Sequence, residues 1–362
     1  MKLREACFRG SVAAAGWVLA GYPLTLLLLP RREWVRDEQA TPTVSILVPA
    51  YREREALRHK LLALAQLEYP PDRLQVIVTV DEDEELARIA TEACPQADVL
   101  FAPERRGKAA ALSRGIAAAT GEVVLMTDAN NVLEPGSVRA AVRHFADPGV
   151  LAVAGKRGER GSAYDRYEDL IRSLESRSGS VAAMSGEFMA VRREQLPQFP
   201  PEIINDDFWL LCQLVRRGGR IVYEPLASSR EEAVPVAGEV ARRTRMSAGR
   251  VMALSELKDL PPGFAWRVLS HKYGRLALPF LLVGALVSSL ALIRRKPYRL
   301  AAYAQLGTYA TGALATAGLA PPGPAGRVAR AAGQFTLGNA AVGVGVARGM
   351  RRRQGVTWDP VR

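Results

Sequence analysis

Cysteine and histidine are both rare in this chain, with three of each among 362 residues. Cys7, Cys94 and Cys212 lie far apart, and no CxxC pair occurs. An odd and scattered set of thiols argues against a disulfide framework and against a zinc site. It favours a reducing compartment.

Several binding patterns are also absent. Aromatic residues make up 7% of the chain and are not interleaved with basic ones, which argues against a stacking platform for single-stranded nucleic acid. The phosphate-loop pattern of GxxxxGK followed by Ser or Thr does not occur, which argues against an ordinary ATPase. No internal repeat is evident.

Positive charge is present in excess, with 49 Lys and Arg against 37 Asp and Glu. A net charge of +12 suggests a nucleic acid, an anionic membrane surface or a phosphate-bearing substrate as partner. The arginines crowd beside apolar segments, as at residues 31–32, 294–296 and 351–353. This arrangement favours a membrane surface over DNA.

The first apolar segment, residues 11–30, has the length of one membrane crossing and carries no charge. We interpret it as a retained anchor. A signal peptide is the alternative, because Lys2, Arg4 and Arg9 precede the segment.

Three more uncharged segments lie at residues 276–293, 301–324 and 331–347. Membrane embedding is the favoured interpretation, with buried helices of a soluble domain as the alternative. Arg31, Arg32 and Arg36 predict a cytoplasmic catalytic domain in the plasma membrane. Because residues 294–299 are equally basic, the number and orientation of these segments stay open.

The middle of the chain alternates strand-like and helix-like stretches. The predicted strands are residues 43–49, 74–80, 99–102 and 121–127, and the predicted helices are residues 53–66, 84–93 and 108–120. This order predicts an α/β fold with a parallel sheet covered by helices.

Polar residues follow each predicted strand, at the edge where ligands bind in such sheets. Acidic, aromatic and basic side chains meet there, which suggests a phosphorylated ligand and a metal ion. Gly107 and Lys108 open a helix, so they offer backbone N–H groups and a cation to phosphate.

Six motifs carry a family resemblance. VSILVPAYRERE, VTVDEDEE, RGKAAALSRGI, LMTDANNVLEPGS, GEFMAVRRE and NDDFWLLCQLVRRGGRIVYEP occur in this order between Val44 and Pro225. The chain resembles the membrane-attached branch of the family 2 glycosyltransferases, which have the GT-A fold, a Rossmann-like and mostly parallel sheet. The implied domains are an anchor at 1–36, a catalytic domain at 42–235, amphipathic interface helices at 236–275, a transmembrane region at 276–347 and a basic tail at 348–362.

The resemblance implies a nucleotide-sugar donor. Pro49, Tyr51 and Glu53 would frame its base and ribose. Asp81 would accept the imide N–H of a pyrimidine, which favours a UDP-sugar, and Lys108 would lie near the nucleotide. The alternatives are a helix N-terminus at Glu53 and a surface position for Lys108.

Asp128 and Asn130 occupy the place of the family's metal-binding D-x-D motif. Mg²⁺ or Mn²⁺ prefers such oxygen ligands and neutralises charge on the leaving diphosphate. Because Asn130 is neutral, we expect metal binding to depend largely on the donor phosphates. A capped turn is the alternative.

The acceptor side is implied at Gly186 and Glu187, with a plain surface turn as the alternative. Asp206 and Asp207 match the family's acidic pair before a helix, in which Asp207 would be the general base of a single, inverting displacement. Helix capping is the alternative role for this pair.

The segment around Arg242 and Arg245 predicts an amphipathic helix at the membrane face. Processive members of the family carry QxxRW here; Arg245 is retained, whereas Arg242 and Met246 replace Gln and Trp. Arg242 and Arg245 would hold the donor diphosphate, or else attract anionic lipid. Without the Trp, transfer of one sugar to a lipid-linked or glycan acceptor is favoured.

Three alternatives remain for the function. They are a processive polysaccharide synthase, a nucleotidyltransferase on a similar fold and an inactive membrane scaffold.

Overall fold

The computed structural model describes residues 1–158, 163–231 and 236–352. Residues 353–362 of the predicted basic tail lie outside this part. The chain forms two compact units. The α/β unit consists of residues 29–231 and Ala253–Phe264 within the described ranges, and the helical unit consists of Met1–Leu28, residues 236–252 and residues 265–352.

The helices, in chain order, are α1 Lys2–Gly16, α2 Tyr22–Leu28, α3 Arg54–Leu64, α4 Glu84–Ala93, α5 Lys108–Ala118, α6 Ser137–Val142, α7 Ala163–Ser178, α8 Asp206–Arg216, α9 Val236–Met252, α10 Pro262–Val268, α11 Gly274–Ala291, α12 Lys296–Thr316 and α13 Gly323–Met350. The strands are β1 Val44–Ala50, β2 Leu74–Asp81, β3 Asp98–Ala102, β4 Val123–Met126, β5 Asn131–Leu133, β6 Val150–Arg157, β7 Met189–Arg192 and β8 Arg220–Glu231.

One eight-stranded sheet organises the α/β unit, in the order β3-β2-β1-β4-β7-β6-β8-β5. Its first four strands are parallel, whereas β7 runs antiparallel to both β4 and β6. All four residues of β4 are buried, as expected for a strand covered on both faces. The predicted α/β fold is confirmed, and the sheet is mixed rather than uniformly parallel.

The register of the parallel strands sets the site. Ala50 pairs with Val80, and Leu47 pairs with Met126. The residues that follow β1, β2 and β4 therefore leave the sheet at one edge.

A network of side-chain hydrogen bonds through the buried His144 connects Trp34, in the segment before β1, to Glu224 on β8. Trp34 Nε1 donates to His144 Nδ1 at 2.7 Å, so the other ring nitrogen carries the proton and donates to Glu224 Oε2 at 2.7 Å. Arg143 also donates to Glu224 Oε2 at 2.7 Å. Burial raises the pKa of Glu224, but the bonds from His144 and Arg143 outweigh it and lower the pKa to about 2.

Two stretches of the chain are helical, long and apolar enough to cross a membrane by length and composition, namely Lys2–Leu28 and Pro262–Ala291. Each contains a π-helical turn, at Trp17–Gly21 and Leu269–Tyr273. Helices α12 and α13 form at the other two predicted segments and do not meet the same criterion among the described residues.

The predicted interface segment at 236–275 is divided between the units. Residues 236–252 belong to the helical unit, where α9 packs against α13 so closely that a β carbon at Gly345 would collide with the Thr244 carbonyl oxygen. Ala253–Phe264 belongs to the α/β unit, where Glu256 accepts from Arg216 at 2.8 Å.

Candidate active site

A cleft opens where β1, β2 and β4 end. Its lining residues are Pro49, Ala50, Tyr51, Glu53, Asp81, Arg105, Gly107, Lys108, Ala111, Asp128 and Ala129. The structure thus brings together six of the seven residues that the sequence assigned to the donor, namely Pro49, Tyr51, Glu53, Asp81, Lys108 and Asp128, and Arg242 is not among the lining residues. Arg105 was not among the predicted residues.

The backbone of the cleft is strained at two points. Arg52 and Glu82, which follow β1 and β2, have φ values of 58° and 66°. Residues other than glycine rarely adopt this left-handed region, and such positions cluster at functional sites. Gly107, which precedes α5, also has a positive φ of 83°, with ψ 168°, a backbone conformation that glycine adopts without steric cost.

Asp81 is 4% exposed and organises the loop that leads into α5. Its Oδ2 accepts from the N–H groups of Arg106 at 2.9 Å and Gly107 at 3.1 Å, and its Oδ1 accepts from Arg114 at 2.6 Å. A carboxylate has about four acceptor positions, so these three bonds leave little capacity for a base N–H. The structure therefore gives Asp81 a loop-forming role beside the predicted one.

Arginines cover the Tyr51 ring. The Arg105 guanidinium lies 4.1 Å from the ring centroid and that of Arg52 lies 4.9 Å from it, both within cation–π range. The Tyr51 hydroxyl donates to Glu82 at 3.3 Å. A base that stacks on Tyr51 would meet or displace Arg105.

Lys108 bridges two carboxylates at the centre of the cleft. Its Nζ lies 2.8 Å from Asp128 Oδ1 and 3.1 Å from Asp206 Oδ2. Burial alone would lower the pKa of Lys108, but the charges of Asp128 and Asp206 outweigh it and hold that pKa above its ordinary value. This Lys108–Asp128–Asp206 cluster brings together the start of α5, the residues that follow β4 and the start of α8.

Gly186 lies directly against this cluster. A β carbon at residue 186 would lie 2.9 Å from Lys108 Nζ and 3.1 Å from Asp128 Oδ2. Contacts this short require a neighbour to move, so the glycine keeps open the space beside the Asp128 carboxylate. Glu187 is buried, and its Oε1 lies 2.7 Å from Arg157 Nε.

The two acidic residues that open α8 have different surroundings. Asp206 belongs to the lysine cluster, whereas Asp207 is 8% exposed and its Oδ1 accepts from the Phe208 N–H at 2.7 Å. Negative charge at this position also stabilises the helix N-terminus. One residue of the pair thus faces Lys108, and the other is packed within the α/β unit.

Few side-chain oxygens in the cleft are placed to bind a metal ion. Among the residues that the structure describes, no group of three or more His, Cys, Asp and Glu side chains could hold a metal ion. Asp128 is 28% exposed in the cleft, and the glycine opposite keeps the space beside Oδ2 free of a side chain. The Asp128 carboxylate, beside this open space, fits a metal that takes most of its other ligands from donor phosphates.

A lysine that the sequence reasoning missed lies beneath the cleft. Lys60 on α3 is fully buried, and its Nζ donates to Thr127 Oγ1 at 2.8 Å, to Asn131 Oδ1 at 2.8 Å and to the Asn131 carbonyl at 3.0 Å. Burial lowers the pKa of Lys60 to about 7, although the charges of Asp128 and Glu187 raise it in part. One sequence signal could have revealed Lys60: it occupies a position on the predicted helix where the helical spacing of apolar residues calls for a side chain that faces the core.

Arg242 and Arg245 lie on α9 of the helical unit. The Arg242 guanidinium is 2.8 Å from Glu239 Oε2, and Glu239 also pairs with Arg243 at 2.7 Å. The structure therefore places the predicted diphosphate-binding arginines on an element outside the α/β unit.

Comparisons with known proteins identify the family of this chain. Residues 42–249 match the family model described as Glycosyltransferase like family 2. The chain belongs to this family.

Two curated relatives are similar over about half of the chain. A probable glycosyltransferase of Bacillus subtilis, YdaM, is 28% identical over 222 residues, which cover 55% of this chain and 53% of the relative. The poly-β-1,6-N-acetyl-D-glucosamine synthase of Staphylococcus aureus is 25% identical over 200 residues, which cover 51% of this chain and 48% of the relative. The chain thus spans about half the length of these relatives.

One solved structure is similar over nearly the whole chain. It is the mannosyltransferase PcManGT from Pyrobaculum calidifontis in complex with GDP-Man and Mn²⁺. The two structures share 26% identity and a TM-score of 0.78, over 97% of this chain and all of the other.

Proposed function

We propose that this protein is a membrane-attached, inverting glycosyltransferase that moves one sugar from a nucleoside diphosphate sugar to a lipid-linked or glycan acceptor. The observation that carries the proposal is the Lys108–Asp128–Asp206 cluster in the cleft, with Gly186 packed against it. A cation between two carboxylates suits a site where phosphates and a metal ion replace part of that pairing.

The donor would lie in the cleft. Pro49, Tyr51 and Glu53 would surround its base and ribose, while Lys108 and the N–H groups that open α5 would hold its phosphates. The GDP-Man bound in the PcManGT complex makes GDP-mannose the first donor to test. A UDP-sugar, which the sequence favoured, is the second.

A divalent cation, Mg²⁺ or Mn²⁺, would be held by Asp128 and Asn130 together with the donor phosphates. The PcManGT complex with Mn²⁺ supports this proposal. When bound, the metal stabilises the negative charge that develops on the leaving diphosphate.

Asp207 would be the general base. The acceptor hydroxyl oxygen forms the new bond to the anomeric carbon while the bond from that carbon to the donor phosphate breaks. The hydroxyl proton passes to the Asp207 carboxylate, and the nucleoside diphosphate leaves with the bonding electrons. A single displacement of this kind inverts the anomeric centre. Gly186 and Glu187 would border the acceptor.

The acceptor and the membrane role rest on the helical unit. Between Asp259 and Asp359 the sequence has no acidic residue, although basic residues recur there, which suits anionic lipid headgroups. Arg242 and Arg245, which the sequence assigned to the donor diphosphate, remain proposed ligands of that group. The membrane would be the plasma membrane, with the α/β unit in the cytoplasm.

A second candidate is a processive polysaccharide synthase. The similarity to the poly-β-1,6-N-acetyl-D-glucosamine synthase supports it. Met246 in place of the tryptophan of QxxRW supports single transfer instead, because the platform for a growing chain is absent at that position.

A donor screen tests the proposal. The full chain, purified in detergent, is incubated with Mn²⁺ and lipid extract and with GDP-mannose or one of several UDP-sugars, and released nucleoside diphosphate is measured. We expect release from one donor and a product that carries one added sugar. A long polymer would support the synthase. Formation of a sugar nucleotide with release of pyrophosphate, in a parallel assay with a nucleoside triphosphate and a sugar phosphate, would contradict both candidates.

A further inference from the structure

Lys60 lies where a charged side chain is least expected. It is on the buried side of α3, between core residues Leu57 and Leu61, and it has no exposed surface. Burying an ammonium group is costly unless all of its donors are used. Such a group is retained only where its hydrogen bonds secure a particular local structure.

The hydrogen bonds of Lys60 end on both sides of the residue expected to bind metal. An ammonium group has three N–H donors, and the three acceptors belong to Thr127 and Asn131. These two residues bracket Asp128. Residues 127–131, which we name the Asp128 loop, are therefore attached to α3 through one side chain.

The same network extends to the acceptor side. The Glu187 carbonyl oxygen accepts from Thr127 Oγ1 at 2.8 Å and from Asn131 Nδ2 at 3.2 Å. The Gly186–Glu187 turn is thereby bonded to the two residues that Lys60 holds. Because Gly186 lies against Asp128, a small shift in either segment would change the shape of the donor site.

We propose that Lys60 is a positioning residue, whose ammonium group fixes the Asp128 loop and the Gly186–Glu187 turn in the arrangement that receives the donor diphosphate. This inference rests on the proposed function for its donor. It goes beyond that function in assigning a role to a residue that touches neither substrate nor metal.

The experiment compares variants on the same helix. Lys60→Met removes the three donors while keeping an unbranched side chain. Arg58→Met is the matched exposed control, and Leu61→Ala is a buried control that weakens packing without touching the network. Thr127→Val removes one acceptor and serves if Lys60→Met does not fold.

Hydrogen exchange of the full chain without donor or metal gives the first measurement. We expect Lys60→Met to speed exchange at residues 127–131 and 186–187 by about tenfold or more, and Thr127→Val to do so by a smaller factor. Arg58→Met should leave exchange there unchanged. Equal exchange in wild type, Lys60→Met and Thr127→Val would overturn the proposal.

Kinetics give the second measurement. Outer partners of metal ligands alter affinity by about ten- to a hundredfold, so we expect the KM for donor to rise by about tenfold in Lys60→Met. Leu61→Ala should lower the Tm and leave that KM unchanged; the same rise in KM at an equal loss of Tm would show a merely structural role. A wild-type chain that binds no nucleoside diphosphate sugar would refute the proposed function, while the exchange measurement would still decide the role of Lys60.

Discussion

The Cα of Gly186 faces the carboxylate of Asp128 so closely that a β carbon there would lie 3.1 Å from Asp128 Oδ2. The two residues come from a turn before β7 and from the end of β4, and the pairing of these antiparallel strands brings them together. This relationship joins the side of the site that would hold the donor to the side that would hold the acceptor.

Gly186→Ala should impair donor binding more than folding. The added methyl group must displace Lys108 Nζ or the Asp128 carboxylate, so we expect the KM for donor to rise by about tenfold or more. Gly136→Ala is the control, because its β carbon would meet Glu68 Oε2 at an ordinary 3.6 Å. An unchanged KM in Gly186→Ala would contradict the assigned site.

Asp207→Asn should abolish sugar transfer and leave donor binding nearly intact. The amide keeps the side-chain oxygen that accepts from the Phe208 N–H, but it cannot take the acceptor proton. A loss of 10²-fold or more in kcat is expected for a general base. Single-turnover assays and calorimetry measure the two quantities, and full turnover in this variant would refute the role of Asp207.

Asn130→Asp should retain or tighten the dependence on Mn²⁺. A second carboxylate adds negative charge at the metal locus, whereas the amide offers a neutral oxygen. Activity is titrated with Mn²⁺ after treatment with a chelator. A wild-type enzyme that is fully active in excess chelator would contradict the metal assignment at Asp128.

Glu224→Gln should destabilise the α/β unit in a pH-dependent way. The pKa of Glu224 falls from 4.5 to about 2 on folding, so its stabilising contribution is full above 4.5 and is lost as the pH falls towards 2. A shift of this size corresponds to roughly 3 kcal/mol near neutral pH.

Denaturation followed by tryptophan fluorescence at several pH values measures this contribution. The difference between wild type and Glu224→Gln should shrink below pH 4.5. Glu38→Gln is the control, because Glu38 pairs with the same Arg143 but is 63% exposed, and it should cost little at any pH. A difference that is constant from neutral pH to pH 2 would exclude titration of Glu224 as its cause.

The parallel half of the fold could be predicted from the sequence. The predicted helix at residues 84–93 coincides with α4, which Asp83 caps by accepting from the Leu86 N–H at 3.0 Å. Continuous apolar runs such as Val123–Met126 specify strands buried on both faces. The antiparallel β7 and the position of β5 beside β8 depend on contacts distant in the sequence, which periodicity does not record.

The site residues that follow the strands could be predicted from the sequence, whereas the buried residues that support them could not. Asp81, Lys108 and Asp128 follow predicted strands or open a helix, so topology alone brings them to one edge. Lys60 lies within α3 and not at a strand end, and its partners Thr127 and Asn131 look like ordinary turn residues in the sequence. Only tertiary packing shows that they share one ammonium group.

The bonding of Trp34 bears on how this protein can be shortened for expression. The sequence analysis placed the anchor at residues 1–36, yet the compact α/β unit begins at Leu29. The Trp34 ring lies between the guanidinium groups of Arg36 at 4.7 Å and Arg220 at 4.2 Å. A truncation after residue 36 would remove this ring, expose His144 and leave its Nδ1 without the indole donor. A catalytic fragment designed for expression should therefore begin before Trp34, although residues 34–36 belong to the segment that the sequence analysis assigned to the anchor.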